Sequence, residues 1–306
     1  MTAPLRFRVP GSTTNLGHGF DCLGAALGCV NTVSVKATGE AVVTAPGARD
    51  AGLVAMAARV REACTAAWST PVPSFQVEIE GEVPIARGMG SSSTILLGVA
   101  AACQALAKRP WSAVELLPIC AALEGHPDNV AAACLGGFTV VGAVGDQLRW
   151  TRFAAPEDLR AVVAIPPFEV KTSEARRILP GEIPKADHVQ ALQRTALITA
   201  ALAAKDPERL RGLFDGAWHE RHRATLNPGL PEARAAAAKA GALGTILSGS
   251  GSTVLSFATA ATADAVAAAV TASYAERGVT AEVRILPFDN QGITRVKRTA
   301  TERVER

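Results

Sequence analysis

Four stretches of the chain hold residue types that could do chemistry: VPGSTTNLGHGFDCLG (9–24), PIARGMGSSST (84–94), EGHPDNVAAACLGG (124–137) and LSGSGSTV (247–254). The second raises the sharpest question, because its glycines and three serines lead straight into the apolar run 95–106. Glycines let backbone N–H groups approach an anion without a Cβ in the way, and a helix N-terminus adds partial positive charge. A serine hydroxyl there offers Mg²⁺ a hard oxygen. Taken alone, a glycine turn with a serine N-cap is the plainer explanation, since such caps are frequent. LSGSGSTV has the same two readings, a glycine hairpin within a strand pair or a turn packed against a ligand.

The polar cluster tips the balance. Glu124, His126, Asp128 and Asn129 fall within six residues and precede an Ala-rich run. One of them alone is a helix cap, with Asp128 or Asn129 starting the helix; four together need partners when buried. The stretches contain no Walker loop, dinucleotide fingerprint or esterase elbow, since GxxxxGK[ST], GxGxxG and GxSxG do not occur in them.

The elements that must position these residues follow from periodicity. Alternation marks strands at 5–10, 31–37 and 74–81; in the last, Phe75, Val77 and Ile79 face one way and Gln76, Glu78 and Glu80 the other. Helices are expected over 51–67, 92–107 and 112–123, the last capped by Ser112, with strands returning at 138–144, 148–154 and 159–166. Further helices are expected over 188–206, from Pro207 into 219–229, over 232–244 and over 260–276. A strand–turn–strand at 245–257 and a strand at 280–288 complete the order of a split βαβ unit. The change in pattern near 155–165 divides the chain into domains 1–160 and 161–306.

A chain of 306 residues, 48% hydrophobic, can bury ample core in two domains, and 19% charged residues suit a compact Ala-rich α+β protein. The net charge of +3 gives no electrostatic case for nucleic acid. The mixed-charge segment 294–306 reads as a solvated tail. Six cysteines without a CxxC pair read as small core residues. The N-terminus lacks an apolar signal region, and the apolar run 130–145 is too short and Gly-rich for a membrane span. The expectation is a cytoplasmic protein with no membrane and no nucleic-acid partner.

These stretches, in this order, resemble the GHMP kinases, and within them the homoserine kinases. Pro84, Gly88, Met89, Gly90, Ser91, Ser92 and Ser93 follow the superfamily pattern P-x-x-x-G-L-G-S-S-A. The first stretch is similar to V-P-A-T-S-A-N-L-G-P-G-F-D-x-L-G, the polar cluster to E-G-H-P-D-N-V-A-P-A-L-L-G-G, and LSGSGSTV to L-S-G-A-G-P-T-V. TSEARRILP (172–180) and HERHRATLNP (219–228) also resemble homoserine kinase segments, so the match spans Val9 to Gly292.

The resemblance implies an α+β GHMP kinase fold, with an ATP-binding N-terminal domain like domain 2 of ribosomal protein S5 and a ferredoxin-like C-terminal domain. It implies transfer of the ATP γ-phosphoryl to the side-chain hydroxyl of L-homoserine, with Mg²⁺, in threonine biosynthesis. Pro84, Arg87 and the run Gly88, Met89, Gly90, Ser91, Ser92 and Ser93 would surround the phosphates. Ser92, or a neighbouring serine, would hold Mg²⁺ with Glu124. Asn15, Asp21, His126, Thr172, Arg176 and Arg223 would line the amino-acid pocket, and catalytic roles would fall to Asn129, Asp21 and Arg223. Those types suit a zwitterion, because an arginine fork binds a carboxylate and an aspartate accepts from an ammonium. Asparagine at 129, where other GHMP kinases place an aspartate base, points to catalysis by positioning and charge neutralisation. The superfamily resemblance also implies a homodimer.

The departures are His18 for a proline, VPGST for VPATS, and Ser93 for the final alanine. His18 is expected as an exposed histidine at the pocket rim. Two other readings stay open: a GHMP kinase for another small alcohol such as threonine or mevalonate, and a non-catalytic sensor of this fold. Glu124 and the loop serines argue against the sensor, which has no need of a metal carboxylate.

Overall fold

The computed structural model describes residues 4–38 and 51–296, so most of the expected charged tail lies outside the described residues. Alternating and β-branched residues build a long antiparallel hairpin from β1 (Leu5–Leu16) and β2 (Gly19–Ala37). A mixed-length sheet grows from it in the order β10–β1–β2–β4–β5, with β3 (Phe75–Gly81) also on β2; β4 is Phe138–Val144, β5 Gln147–Phe153 and β10 Thr294–Arg295. The alternation in β3 is as expected: Phe75 and Val77 are buried, Glu78 and Glu80 exposed. Helices α1 (Ala51–Trp68), α2 (Ser91–Leu106), α3 (Ala113–Glu124) and α4 (Asp128–Leu135) join this sheet around a core that includes Phe7, Val33, Phe75, Leu97 and Val99. Ser112 stands at the N-cap position of α3, but its side chain makes no capping bond; its N–H instead donates to Gln104 Oε1 at 3.0 Å.

A second, four-stranded antiparallel sheet runs β7–β8–β6–β9, from β6 (Leu159–Ile165), β7 (Gly244–Leu247), β8 (Val254–Thr259) and β9 (Glu282–Pro287). Helices α8 (Leu230–Lys239) and α9 (Ala263–Ala275) bury Ala233, Ala237, Val266 and Val270 with this sheet's Val162, Leu247 and Val254. Between β6 and α8 lie α5 (Thr172–Arg177), α6 (Lys185–Ala203) and α7 (Trp218–Arg223).

One expected element is corrected. The helix predicted from Pro207 into 219–229 is a 3₁₀ turn at Pro207–Leu210, an irregular segment, the short helix α7, then a second 3₁₀ turn at Ala224–Leu226. The break accompanies Phe214, which is buried and stacks on Phe257 with centroids 5.0 Å apart. Phe257 in turn stacks on Phe288 at 5.8 Å, and Phe288 meets Phe138 of the first sheet at 4.9 Å. Burying that aromatic column joins the two sheets and outweighs the local helical preference. Five of the six cysteines are buried and all are free, as core residues would be. Among the described residues, no helix is long and apolar enough to cross a membrane.

Candidate active site

The loop after β3 delivers its glycines to a crowded place. Gly88 and Gly90 adopt φ of 73° and 69°, and a Cβ on them would lie 2.1 Å from Ser248 O and 2.1 Å from Ser12 Oγ. Only glycine fits both the conformation and the approach. Gly90 is the N-cap of the 16-residue α2, and no side chain caps that terminus. Its first-turn N–H groups therefore remain available to an anion, with the helix dipole behind them. Ser12 N–H donates to Met89 O at 3.0 Å, Thr253 N–H to Arg87 O at 3.2 Å, and Ser248 Oγ to Gly88 O at 2.7 Å, so the loop is held from both sheets.

The serines separate. Ser91 and Ser92 line a cavity of ≈ 510 Å³, while Ser93 is fully buried and its Oγ has no hydrogen-bond partner. Ser92 Oγ donates to Glu124 Oε1 at 2.5 Å, at the C-terminal end of α3. A hydroxyl and a carboxylate oxygen beside an anion cradle fit Mg²⁺, which takes one or two protein oxygens together with substrate phosphates. Arg87 lines the same cavity, donating to Pro167 O at 3.1 Å and facing Glu169 at 3.3 Å.

The far end of the cavity carries the charges. Asn15 and Asp21 flank the β1–β2 turn at φ of 58° and 53°, and Asp21 N–H donates to Asn15 Oδ1 at 2.9 Å. Asn15 Nδ2 reaches Gly249 O at 3.0 Å. Arg176, on α5, grips the Asp21 carboxylate with both terminal nitrogens at 2.9 and 2.7 Å. Arg223, at the end of α7, is buried and donates to Gly249 O and Ala175 O, both at 3.1 Å. Burial, then the charge of Arg176, lowers the Arg223 pKa to about 10, which leaves it charged at neutral pH. Both guanidiniums lie over the Phe20 ring, at 5.7 and 5.2 Å from its centroid.

At the start of α4, His126 Nδ1 stands 3.1 Å from Asp128 Oδ1, and that oxygen also accepts Asn129 N–H at 2.8 Å. The hydrogen bond to Asp128 raises the His126 pKa against its partial burial. Asn129 accepts from Ser12 Oγ at 2.9 Å and donates to Thr14 Oγ1 at 3.1 Å. Thr172 Oγ1 and Ser250 Oγ face each other at 3.4 Å across the cavity wall.

The chain's relatives show its family. The family described as GHMP kinases N terminal domain matches residues 53–137, and that described as GHMP kinases C terminal matches residues 198–276. A homoserine kinase of Trichormus variabilis is 39% identical over 298 residues, covering 94% of this chain and 97% of that protein. The chain belongs to the GHMP kinases, among the homoserine kinases. A second homoserine kinase, of Microchaete diplosiphon, is 37% identical over 290 residues, 93% of this chain and 94% of that protein. The crystal structure of homoserine kinase from Cytophaga hutchinsonii superposes with a TM-score of 0.88 over 97% of this chain and 98% of that one, at 24% identity. It shares the GHMP kinase fold.

The structure gathers most of the site residues expected from this GHMP kinase sequence around one cavity: Arg87 to Ser92, Glu124, His126, Asn129, Asn15, Thr172, Arg176 and Arg223. Asp21 reaches it through Arg176, whereas Pro84 and Ser93 are not in its wall. His18 is corrected. It is only 3% exposed, and its Nε2 donates to Asp215 O at 3.0 Å, because the hairpin tip is covered by the segment leading to α7. Phe20, Ser12 and Ser248 escaped the sequence reading; all three lie inside quoted motifs, but only the fold shows what they touch.

Proposed function

We propose that this cavity seats ATP and L-homoserine together and transfers the γ-phosphoryl group to the homoserine side-chain hydroxyl, giving O-phospho-L-homoserine and ADP. The observation that carries the reading is the pairing of two unlike ends in one cavity: an uncapped, glycine-led helix N-terminus, and a pair of arginines with an aspartate. The first suits phosphates; the second suits a zwitterion.

The α2 N–H groups and Ser91 hold the phosphates, and Arg87 borders them. Ser92 and Glu124 would hold Mg²⁺, which supplies charge neutralisation on the phosphate oxygens. Arg176 and Arg223 orient the substrate carboxylate, Asp21 its ammonium, and Asn15, His126 and Thr172 complete the wall. The homoserine oxygen attacks the γ-phosphorus as the bond to the β-phosphate oxygen breaks. Asn129 cannot take the proton, so it leaves late, to an oxygen of the transferred group, and catalysis rests on position and charge. The chain divides into an ATP-binding unit over 1–160 and a second unit over 161–306, although β10 returns to the first sheet. The free cysteines fit a reducing cytoplasm, and the superfamily resemblance supports a homodimer.

A coupled ADP-release assay with L-homoserine, threonine and mevalonate tests the reading. Turnover is expected with homoserine in preference to the other two; preference for either of them, or turnover with none, overturns it.

A further inference from the structure

Helix α7 has six residues, yet three of its side chains are buried polar groups that reach three different elements. His219 Nε2 donates to Gly17 O at 2.8 Å, in the turn that leads to Phe20 and Asp21. Arg223 reaches Gly249 and Ala175, the residue before Arg176. Glu220, 3% exposed, is the third. Its Oε1 accepts Leu247 N–H at 2.8 Å, and its Oε2 pairs with Arg234, whose Nε donates to Thr245 O at 3.1 Å. Leu247 ends β7, and two residues later Gly249 O accepts from both Asn15 and Arg223.

The Glu220 carboxylate therefore fastens α7 to the strand whose loop supplies the common acceptor of two pocket residues. It lies outside the cavity wall and touches no reacting atom. We propose that Glu220 is a positioning residue for amino-acid recognition: it sets the spacing between α7 and the 248–250 turn, and through Gly249 the orientation of Arg223 and Asn15. The inference rests on the homoserine kinase reading of the same cavity. Burial raises the Glu220 pKa while Arg234 opposes that shift. An amide of equal length has one acceptor oxygen, so it keeps the Leu247 bond and gives up the pair with Arg234, whose Nε still holds Thr245 O. Removal of the side chain leaves that N–H and the Arg234 guanidinium without a buried acceptor.

Steady-state kinetics on the full chain test this with both substrates varied. Wild-type turnover of homoserine checks the underlying reading separately. Glu220→Ala is expected to raise the homoserine KM at least about tenfold while the ATP KM and kcat stay within about threefold. Glu220→Gln should stay within about threefold in all three, and so should Arg221→Ala, a change on the same helix α7 that removes the pair with Asp187 of α6. If Glu220→Ala does not fold, Glu220→Asp carries the test, since the long Arg234 side chain can follow a carboxylate drawn back by one methylene whereas the Leu247 N–H of the strand cannot; the expected rise in homoserine KM is then at least about fivefold. A homoserine KM within about twofold of wild type in the folded variant, or equal rises for both substrates, overturns the proposal.

Discussion

Arg176 holds Asp21 through two hydrogen bonds, Nη1 to Oδ2 at 2.9 Å and Nη2 to Oδ1 at 2.7 Å, across 155 residues of sequence. The side chains remain 37% and 33% exposed, so the pair faces solvent and can exchange partners. On the proposed function, an incoming amino acid would offer a carboxylate to the arginine and an ammonium to the aspartate, each taking the place of the partner that satisfies it here. Such preorganisation lowers the ordering cost of binding.

Asp21→Asn removes the acceptor charge and leaves the shape. A charge-assisted hydrogen bond contributes about 1.5–3 kcal/mol, so kcat/KM for homoserine should fall roughly 10- to 150-fold. The ATP KM should change little. Initial rates with each substrate varied in turn check this, and equal loss for both substrates would contradict it.

Glu124→Gln keeps the size of the side chain and the acceptor for Ser92 Oγ but removes the negative charge. The Mg²⁺ concentration for half-maximal rate should rise at least about tenfold, with partial recovery at saturating metal. A Mg²⁺ titration of the rate measures this directly. An unchanged requirement would place the metal elsewhere.

Asp128→Asn tests for a hidden base. The single oxygen Oδ1 takes both the His126 and Asn129 bonds, and an asparagine Oδ1 can take both as well. Turnover within about fivefold of wild type is expected, since a general base is worth about 10²- to 10⁴-fold. A collapse of kcat alone would restore a base at this position.

His219 sets an acid limit on stability. Burial lowers its pKa to about 3, with the Gly17 carbonyl only partly opposing that and Arg223 adding to it. Below pH 6.5 the unfolded chain binds a proton that the native state refuses until near pH 3. Stability from this group is thus complete above pH 6.5 and is lost as pH falls, by about 1.4 kcal/mol per pH unit. His219→Gln, which keeps a donor for Gly17 O and cannot ionise, should show a shallower fall in Tm between about pH 6 and pH 4. Parallel Tm profiles would contradict the assignment.

Much of this was legible in the sequence, for physical reasons that differ by element. Phe75 to Glu80 alternate because one face of β3 is buried, and that period is visible in the residues alone. PIARGMGSSST marks its own turn because Gly88 and Gly90 have nowhere to put a Cβ. The stretch alone could not distinguish a capped turn from an anion cradle; the missing side-chain cap on α2 and the Ser92–Glu124 contact favour the cradle. His18 looked like a rim residue because nothing near it in sequence announces the 215–219 segment that covers it. Phe214 ended a helix by packing on Phe257, a contact that local propensity does not contain. Phe20 likewise reads as one aromatic in a motif until Arg176 and Arg223 arrive from distant helices.

On the proposed function, one cavity brings the ATP γ-phosphoryl group and the homoserine hydroxyl together. ³¹P NMR of the protein with MgATP and L-homoserine tests it most directly. A new phosphomonoester resonance is expected, coupled to the side-chain methylene protons of homoserine and growing in step with ADP. ADP accompanied only by inorganic phosphate, or a phosphoryl group on any other atom of the amino acid, would contradict it.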